Sequence, residues 1–171
     1  MDIIIYNAMK YLKLFESIEN IHEICKKYNI KNYTINSDGS SIDVDGIVNL
    51  HGRYLKKLPL KFRNVSSSFY CSSNYLTNFE GAPTYVGGHF QCIDNNLTSL
   101  EWFPTHLVGS FNCDYNPVYE IWNLFRDKSK VELFNDYDII RGTDIVIDRL
   151  NDFLITIGKK PVKSVNGYNN I

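Results

Sequence analysis

A short α/β solenoid of about four turns, with parallel strands and a helical cap at each end, is the fold class this sequence predicts. Three observations carry it. Phe69-Tyr70-Cys71-Ser72-Ser73-Asn74-Tyr75-Leu76, Phe90-Gln91-Cys92-Ile93-Asp94-Asn95-Asn96-Leu97 and Phe111-Asn112-Cys113-Asp114-Tyr115-Asn116-Pro117-Val118 align at a constant spacing of 21 residues. The residues after each block recur as well: Leu76-Thr77-Asn78-Phe79-Glu80-Gly81-Ala82-Pro83 matches Leu97-Thr98-Ser99-Leu100-Glu101-Trp102-Phe103-Pro104, followed by Tyr85-Val86-Gly87-Gly88 and His106-Leu107-Val108-Gly109. The flanks, by contrast, show helical spacing. A unit of this length cannot bury its own apolar side alone, so its neighbours must stack on it and the ends must be covered.

Within a unit, Phe90 and Cys92 alternate with Gln91, the period of a half-buried strand. Each turn is therefore expected to supply one short strand. Stacking in register puts Phe69, Phe90 and Phe111 in one inward file and Leu50, Cys71, Cys92 and Cys113 in the next, with neighbours about 4.8 Å apart. One period earlier, Val48-Asn49-Leu50-His51-Gly52-Arg53-Tyr54-Leu55 keeps the apolar positions and puts Arg53 where the asparagine falls, a degenerate first turn. Asn74, Asn95 and Asn116 stand where the chain leaves the strand, and a buried amide there can satisfy main-chain groups that no strand reaches. Gly87-Gly88 and Gly109 are expected to permit a tight turn.

The core apolar-x-Cys-x-x-Asn-x-Leu-x-x-Leu resembles the leucine-rich repeat pattern L-x-L-x-x-N-x-L-x-x-L, with Phe and Cys in place of leucines. The resemblance covers slightly under half of the chain, and its unit length and trailing proline are closer to short bacterial repeats than to those of animal receptors. The Leu-Glu-Gly-Ala-Pro-like and Val-Gly-Gly phrases also look like repeats in uncharacterised phage-encoded proteins. In the leucine-rich family the outward strand positions line a concave surface that binds partners.

Four segments follow, forming one compact unit: 1–41 as an N-terminal helical cap and hairpin, 42–118 as the leucine-rich-repeat-like solenoid, 119–160 as a C-terminal helical cap, and 161–171 as a tail. From Met1 to about Tyr28, Ile5, Ala8, Met9, Leu12, Leu14, Phe15, Ile18, Ile21, Ile24 and Cys25 recur at helical spacing, which predicts one or two helices covering the first turn. Asp38-Gly39 supplies the turn of a hairpin between Tyr33-Thr34-Ile35-Asn36 and Ser41-Ile42-Asp43-Val44-Asp45. Pro117 opens a helix carrying Val118, Ile121, Trp122, Leu124 and Phe125, and Thr143 is the expected N-cap of a further helix ending at Gly158. Beyond Lys159 the composition suggests disorder.

The chain has 171 residues, 44% hydrophobic and 22% charged, which fits one soluble domain. No apolar run approaches the roughly 18 residues of a membrane span, and Asp2 stands where a secretory signal carries positive charge. Inward cysteines at a fixed period read as small reduced hydrophobes, so a cytoplasmic location is expected, including the host cytoplasm of an infecting phage. Cys71, Cys92 and Cys113 in a straight file cannot converge on a metal ion, and a buried thiol is a poor nucleophile. His22, His51, His89 and His106 fall in no catalytic signature. No catalytic residue, metal site or cofactor is expected, and the chain is not expected to be an enzyme.

Residues 64–116 contain no Lys or Arg but carry Glu80, Asp94, Glu101 and Asp114, the reverse of a nucleic-acid groove. The basic cluster Arg53, Lys56, Lys57, Lys61 and Arg63 belongs to the first turn and reads as a solvated edge, with contact to an acidic protein or a nucleic acid as the sharper reading. What remains is the outward strand face: Ile47, Asn49 and His51, then Ser68, Tyr70 and Ser72, then His89, Gln91 and Ile93, then Ser110, Asn112 and Asp114. Tyrosine and amides enclosed by polar neighbours suit recognition of a host or viral protein. The alternatives are a homo-oligomer built through a sheet edge or a cap and, less favoured, nucleic-acid binding at the basic cluster.

Overall fold

A computed structural model describes residues 3–171 as a mixed α/β fold with four helices and three sheets, two of them largely parallel. Helix α1 (Ile3–Lys27) leads into a hairpin of β1 (Tyr33–Ile35) and β2 (Ser41–Val44), closed by the Asp38 carboxylate, which accepts from the Ser40 and Ser41 N–H groups. The repeat region then alternates between two sheets. Strands β3 (Val48–Asn49), β5 (Phe69–Tyr70), β7 (Phe90–Gln91) and β9 (Phe111–Asn112) form one. Strands β4 (Lys61–Val65), β6 (Tyr85–Val86) and β8 (His106–Leu107) continue from β2 to form the other.

Pairing in the first of these sheets is parallel, with Val48 opposite Phe69, Phe69 opposite Phe90 and Phe90 opposite Phe111, the register the 21-residue period predicts. Both inward files are present. Phe69 and Phe90 are fully buried, Phe111 partly, and successive rings lie 5.7 and 5.6 Å apart. Leu50, Cys71, Cys92 and Cys113 have no exposed surface.

Each unit contributes two strands rather than the single one expected. Tyr85↔His106 and Val86↔Leu107 pair in the second sheet, with Val86 and Leu107 inward and Tyr85 and His106 exposed. The glycines that follow also act differently from the expected turn role. Gly87, Gly88 and Gly109 are not among the left-handed residues. Instead a Cβ at Gly87 would collide with the Ser66 carbonyl, and one at Gly109 with the Gly88 carbonyl, so the missing side chain lets one corner nest on the next.

Asn74, Asn95 and Asn116 are buried and use their amides in one repeated pattern. The Asn95 amide donates to the Cys71 and Cys92 carbonyls at 3.0 and 3.1 Å, while its oxygen accepts from the Leu76 N–H at 2.9 Å. Asn74 and Asn116 repeat these bonds one unit earlier and one unit later.

The C-terminal cap is built from α2 (Tyr119–Phe125), a 3-10 turn (Lys128–Lys130), α3 (Val131–Asp136), the β10 (Ile140–Arg141) and β11 (Asp144–Ile145) hairpin, and α4 (Ile147–Thr156). Three expectations change here. Thr143 is not an N-cap, because the backbone stays extended through β11 and α4 starts only after Val146, which offers no capping side chain. The tail after Lys159 is docked: Val165 and Tyr168 are buried, β12 (Asn169–Asn170) pairs in parallel with β11, and the Tyr168 hydroxyl donates to the Thr98 carbonyl. Pro117 lies two residues ahead of α2 rather than in its first turn.

The N-terminal cap also differs. Met1, Asp2 and the side chains of Ile3, Ile4, Asn7 and Ala8 lie outside the described residues, and the rest of the predicted segment is one helix. Among the described side chains, those of its second half cover the repeats, through Ile21, Cys25 and partly buried Ile24. Ile5, Met9, Leu12, Leu14 and Phe15 are exposed. Helical spacing marks an apolar side of a helix but not whether the chain itself covers it. No helix among the described residues is long and apolar enough to cross a membrane.

Replacing Asn95 with Ala strands the Leu76 N–H and the Cys71 and Cys92 carbonyls in the core. Urea unfolding of Asn95→Ala is expected to show a loss of about 2–4 kcal/mol, from the cost of buried unpaired polar groups. Asn78→Ala, on a partly exposed turn residue of the same unit, is expected to stay within about 1 kcal/mol of the parent.

Candidate functional site

Strand alternation turns Asn49, Tyr70, Gln91 and Asn112 outward, and the parallel register sets them side by side: Asn49 opposite Tyr70, Tyr70 opposite Gln91, Gln91 opposite Asn112. Asn49 is exposed and the other three are half-buried, so the file is accessible along its length. Asn49 and Asn112 each accept from a main-chain N–H two residues on, those of His51 and Asp114, which fixes the amides at both ends. Their neighbours His51, Ile93 and Asp114 are also solvent-accessible, as is Ile47.

Two predicted members leave the site. Ser68 and Ser72 are only 6% and 8% exposed, because each hydroxyl accepts from a main-chain N–H of the next unit, those of His89 at 3.0 Å and Ile93 at 3.1 Å. They brace neighbouring units and are not available to a partner. His89 is exposed but ordered, since its Nδ1 lies 2.7 Å from the Ser110 hydroxyl and accepts from the Ser110 N–H at 3.2 Å. An acceptor role at Nδ1 leaves Nε2 to carry the ring proton outward.

The basic edge is dispersed. Arg53, Lys56, Lys57 and Lys61 are exposed around the first unit. Arg63 is engaged: its Nε donates to Asp43 Oδ1 at 3.0 Å and its Nη2 to Asp43 Oδ2, tying β4 to β2. The guanidinium, helped by Asn36 and Asn64, holds the Asp43 carboxyl below the usual carboxylate range. Arg63 is therefore a link between strands rather than a free cation, and none of the five joins the outward file of the first sheet.

Beyond β9 the face runs into a cleft that the sequence reading did not find. It holds about 640 Å³ and is lined by Ser110 to Asn112, Asp114, Tyr119, Trp122 and Arg126, with Asp127 and Lys128 at its rim. Trp122 meets Phe111 edge-on at 5.0 Å, and the Arg126 guanidinium donates to the Tyr119 hydroxyl at 2.9 Å. The Lys128 ammonium donates to the carbonyls of Leu107, Val108 and Gly109. The sequence signal for this cleft is the return of cations at 126 and 128 just after the last repeat. Helical spacing puts Trp122 on the closing helix without showing that its ring lines a cleft.

No protein-family model matches the chain, and no curated protein or solved structure matches it either.

All four cysteines are free and buried. Burial pushes the Cys113 thiol up to about 12 and the Cys25 thiol up to about 11. Burial raises the Cys71 and Cys92 thiols as well, with Cys71, Cys113 and Asp114 adding to the shift at Cys92. Because these values are raised, the thiols favour the folded state below the ordinary thiol value near 8.5, and that contribution is lost as pH rises from there toward the folded-state values. Urea midpoints are therefore expected to fall above about pH 9. Cys92→Ala should flatten this slope, and the folded protein should resist thiol-specific reagents at pH 8.

Proposed function

We propose that the chain is a short leucine-rich-repeat-like solenoid of about four turns, capped by helices, that works as a non-enzymatic protein-protein interaction module. Its partner is a host or viral protein, and the resemblance to phage-encoded repeats suggests an inhibitor or adaptor acting on a bacterial protein in the cytoplasm. The observation that carries this reading is the accessible file Asn49, Tyr70, Gln91 and Asn112, held at fixed spacing by the strand register. One half-buried tyrosine among amides, with charge only at Asp114, has the make-up of an interaction centre with a polar surround. Recognition is favoured over catalysis because His89 is engaged with Ser110 and the buried thiols are held protonated. Free buried thiols also suit a reducing compartment. Affinity capture from a bacterial lysate, read by mass spectrometry, tests the face. The partner bound by the parent chain is expected to be lost from the Tyr70→Ala, His89→Ala, Gln91→Ala variant, and retention would place binding elsewhere.

Exposure on α1 favours a second reading, a homo-oligomer formed through the N-terminal cap. Ile5, Met9, Leu12 and Phe15 follow helical spacing on one side, and Tyr6 and Tyr11 flank them, all at least 49% exposed. Together they offer roughly 700 Å² per protomer, close to the ~800 Å² per partner of a standard interface. An antiparallel pairing about Lys10 sets Ile5 opposite Phe15 of a second copy, so one stripe satisfies both chains. Sedimentation equilibrium at tens of micromolar is expected to give a dimer and Leu12→Glu, Phe15→Glu a monomer. A monomeric parent chain would remove this reading.

A further inference from the structure

Asn166-Gly167 is the one Asn-Gly pair in the chain, and it forms the turn between buried Val165 and buried Tyr168. Both residues of the pair are exposed. Among the described residues, the Asn166 side-chain amide and the Gly167 N–H meet no protein partner. Gly167 lies at φ 82°, and a Cβ built on it would touch nothing within 4 Å, so no side chain shields the nitrogen that follows Asn166.

Two Asp-Gly pairs show what restraint looks like at such a position. At Asp38-Gly39 the Gly39 N–H donates to the Asn36 carbonyl at 2.9 Å, and the Asp38 carboxylate accepts from the Ser40 and Ser41 N–H groups. At Asp45-Gly46 the Ser66 hydroxyl donates to the Asp45 carboxylate and accepts from the Gly46 N–H, both at 2.8 Å. In each pair, nitrogen and carboxyl are engaged in bonds that must break before the two can meet. Asn166-Gly167 has neither restraint, while the chain on its two sides is fixed. The Asn170 amide accepts from the Val165 N–H at 2.7 Å and donates to the Val165 and Tyr168 carbonyls. The Tyr168 hydroxyl donates to the Thr98 carbonyl at 2.8 Å, and the Asn169 and Ile171 N–H groups donate to the Thr143 and Ile145 carbonyls, both at 2.9 Å.

We propose that Asn166 is a site of spontaneous deamidation in the folded protein, and that its isoaspartate product loosens the docked tail. The Gly167 nitrogen attacks the side-chain carbonyl carbon of Asn166, which its position one residue on makes an intramolecular step. The bond from that carbon to the amide nitrogen breaks, water carries the Gly167 proton to the departing group, and ammonia leaves a five-membered succinimide. A second water opens the ring. Attack at the side-chain carbonyl gives aspartate with a main chain of ordinary length. Attack at the main-chain carbonyl gives isoaspartate, in which the chain runs through the side-chain carbon and is longer by one methylene. That added length falls between Val165 and Tyr168, the two residues the Asn170 amide bridges, so the bridge and the strand pairing that follows it are weakened together. The reaction consumes only water and proceeds whatever the chain binds.

The test ages the full chain at mildly alkaline pH, then digests it for mass spectrometry and scores isoaspartate by enzymatic methyl transfer. The peptide holding Asn166 is expected to gain the mass of an amide turned carboxyl ahead of every other asparagine peptide, and to carry the isoaspartate. Asn166→Gln, which would have to close a six-membered ring, should lose that signal. Its fold should be kept, since the side chain it replaces is exposed and unbonded. In the aged parent, hydrogen exchange at the Asn169 and Ile171 amides should quicken by roughly tenfold or more. Aged Asn166→Gln should exchange like the fresh parent, and so should fresh Asn166→Asp, which has the charge without the methylene. An Asn166 left intact in the aged parent, or a product that leaves exchange at Asn169 and Ile171 unchanged, would each overturn the proposal. Equal loosening in fresh Asn166→Asp would overturn the added length as its cause.

Discussion

The side-chain amide of the asparagine at the end of each repeat strand is the constraint on which the remaining architecture depends. Leaving a strand exposes main-chain groups that the next strand cannot reach, and in the middle of a stack no water replaces them. Asn74, Asn95 and Asn116 each answer this with one planar group that donates to two carbonyls a unit apart and accepts from an N–H of the preceding unit. Each residue just before them takes a left-handed conformation, Ser73 at φ 54°, Asp94 at 57° and Tyr115 at 57°. This is an uncommon backbone state for such side chains, and the amide bonds that follow offset its cost. In the first unit Gly52 holds the same position at φ 63°, where the asparagine is replaced by Arg53 and the Arg53 N–H is taken up by Asn74. The ladder therefore begins one unit late.

Around these amides the two inward files divide the work. Small cysteines sit beside the asparagines and leave their carbonyls accessible to the amide, while the bulk of the packing falls to the aromatic file. Phe62, Phe69, Phe90 and Phe111 touch in succession, and the file continues through Trp122 and Phe125 to Phe134 and Phe153. Most of these pairs are edge-on or tilted, arrangements worth about 0.5–1.5 kcal/mol each beyond burial. The C-terminal helices are thus not a separate lid. They carry on the same aromatic file with side chains delivered at helical rather than repeat spacing.

Periodicity made the first sheet legible, because a spacing of 21 residues fixes both the parallel register and which residues share a file. The second sheet was not legible, since two-residue strands such as Tyr85–Val86 hold one buried and one exposed residue, too few to show a period. Alternation also misplaced Ser68 and Ser72, whose short hydroxyls reach the neighbouring main chain instead of facing solvent. The docked tail depends on Tyr168 reaching Thr98, 70 residues earlier, and no local pattern encodes such a contact. The apolar side of α1 was visible as a pattern while its lack of an intramolecular cover was not.

A repeat that stacks without limit has no reason to stop, so the chemistry of its ends decides what the molecule can do. At the start, the antiparallel β1–β2 hairpin pairs one sheet edge, and Arg63 with Asp43 fastens β2 to β4. At the finish, α2 seals the apolar interior while Lys128 satisfies the carbonyls beside β8. Sealing the interior and satisfying the β9 edge are separate requirements, because a helix presents side chains rather than main-chain acceptors to the strand it covers. At β9 the cap meets the first of these through Trp122 on Phe111, while Cys113 beside it is left with no exposed surface.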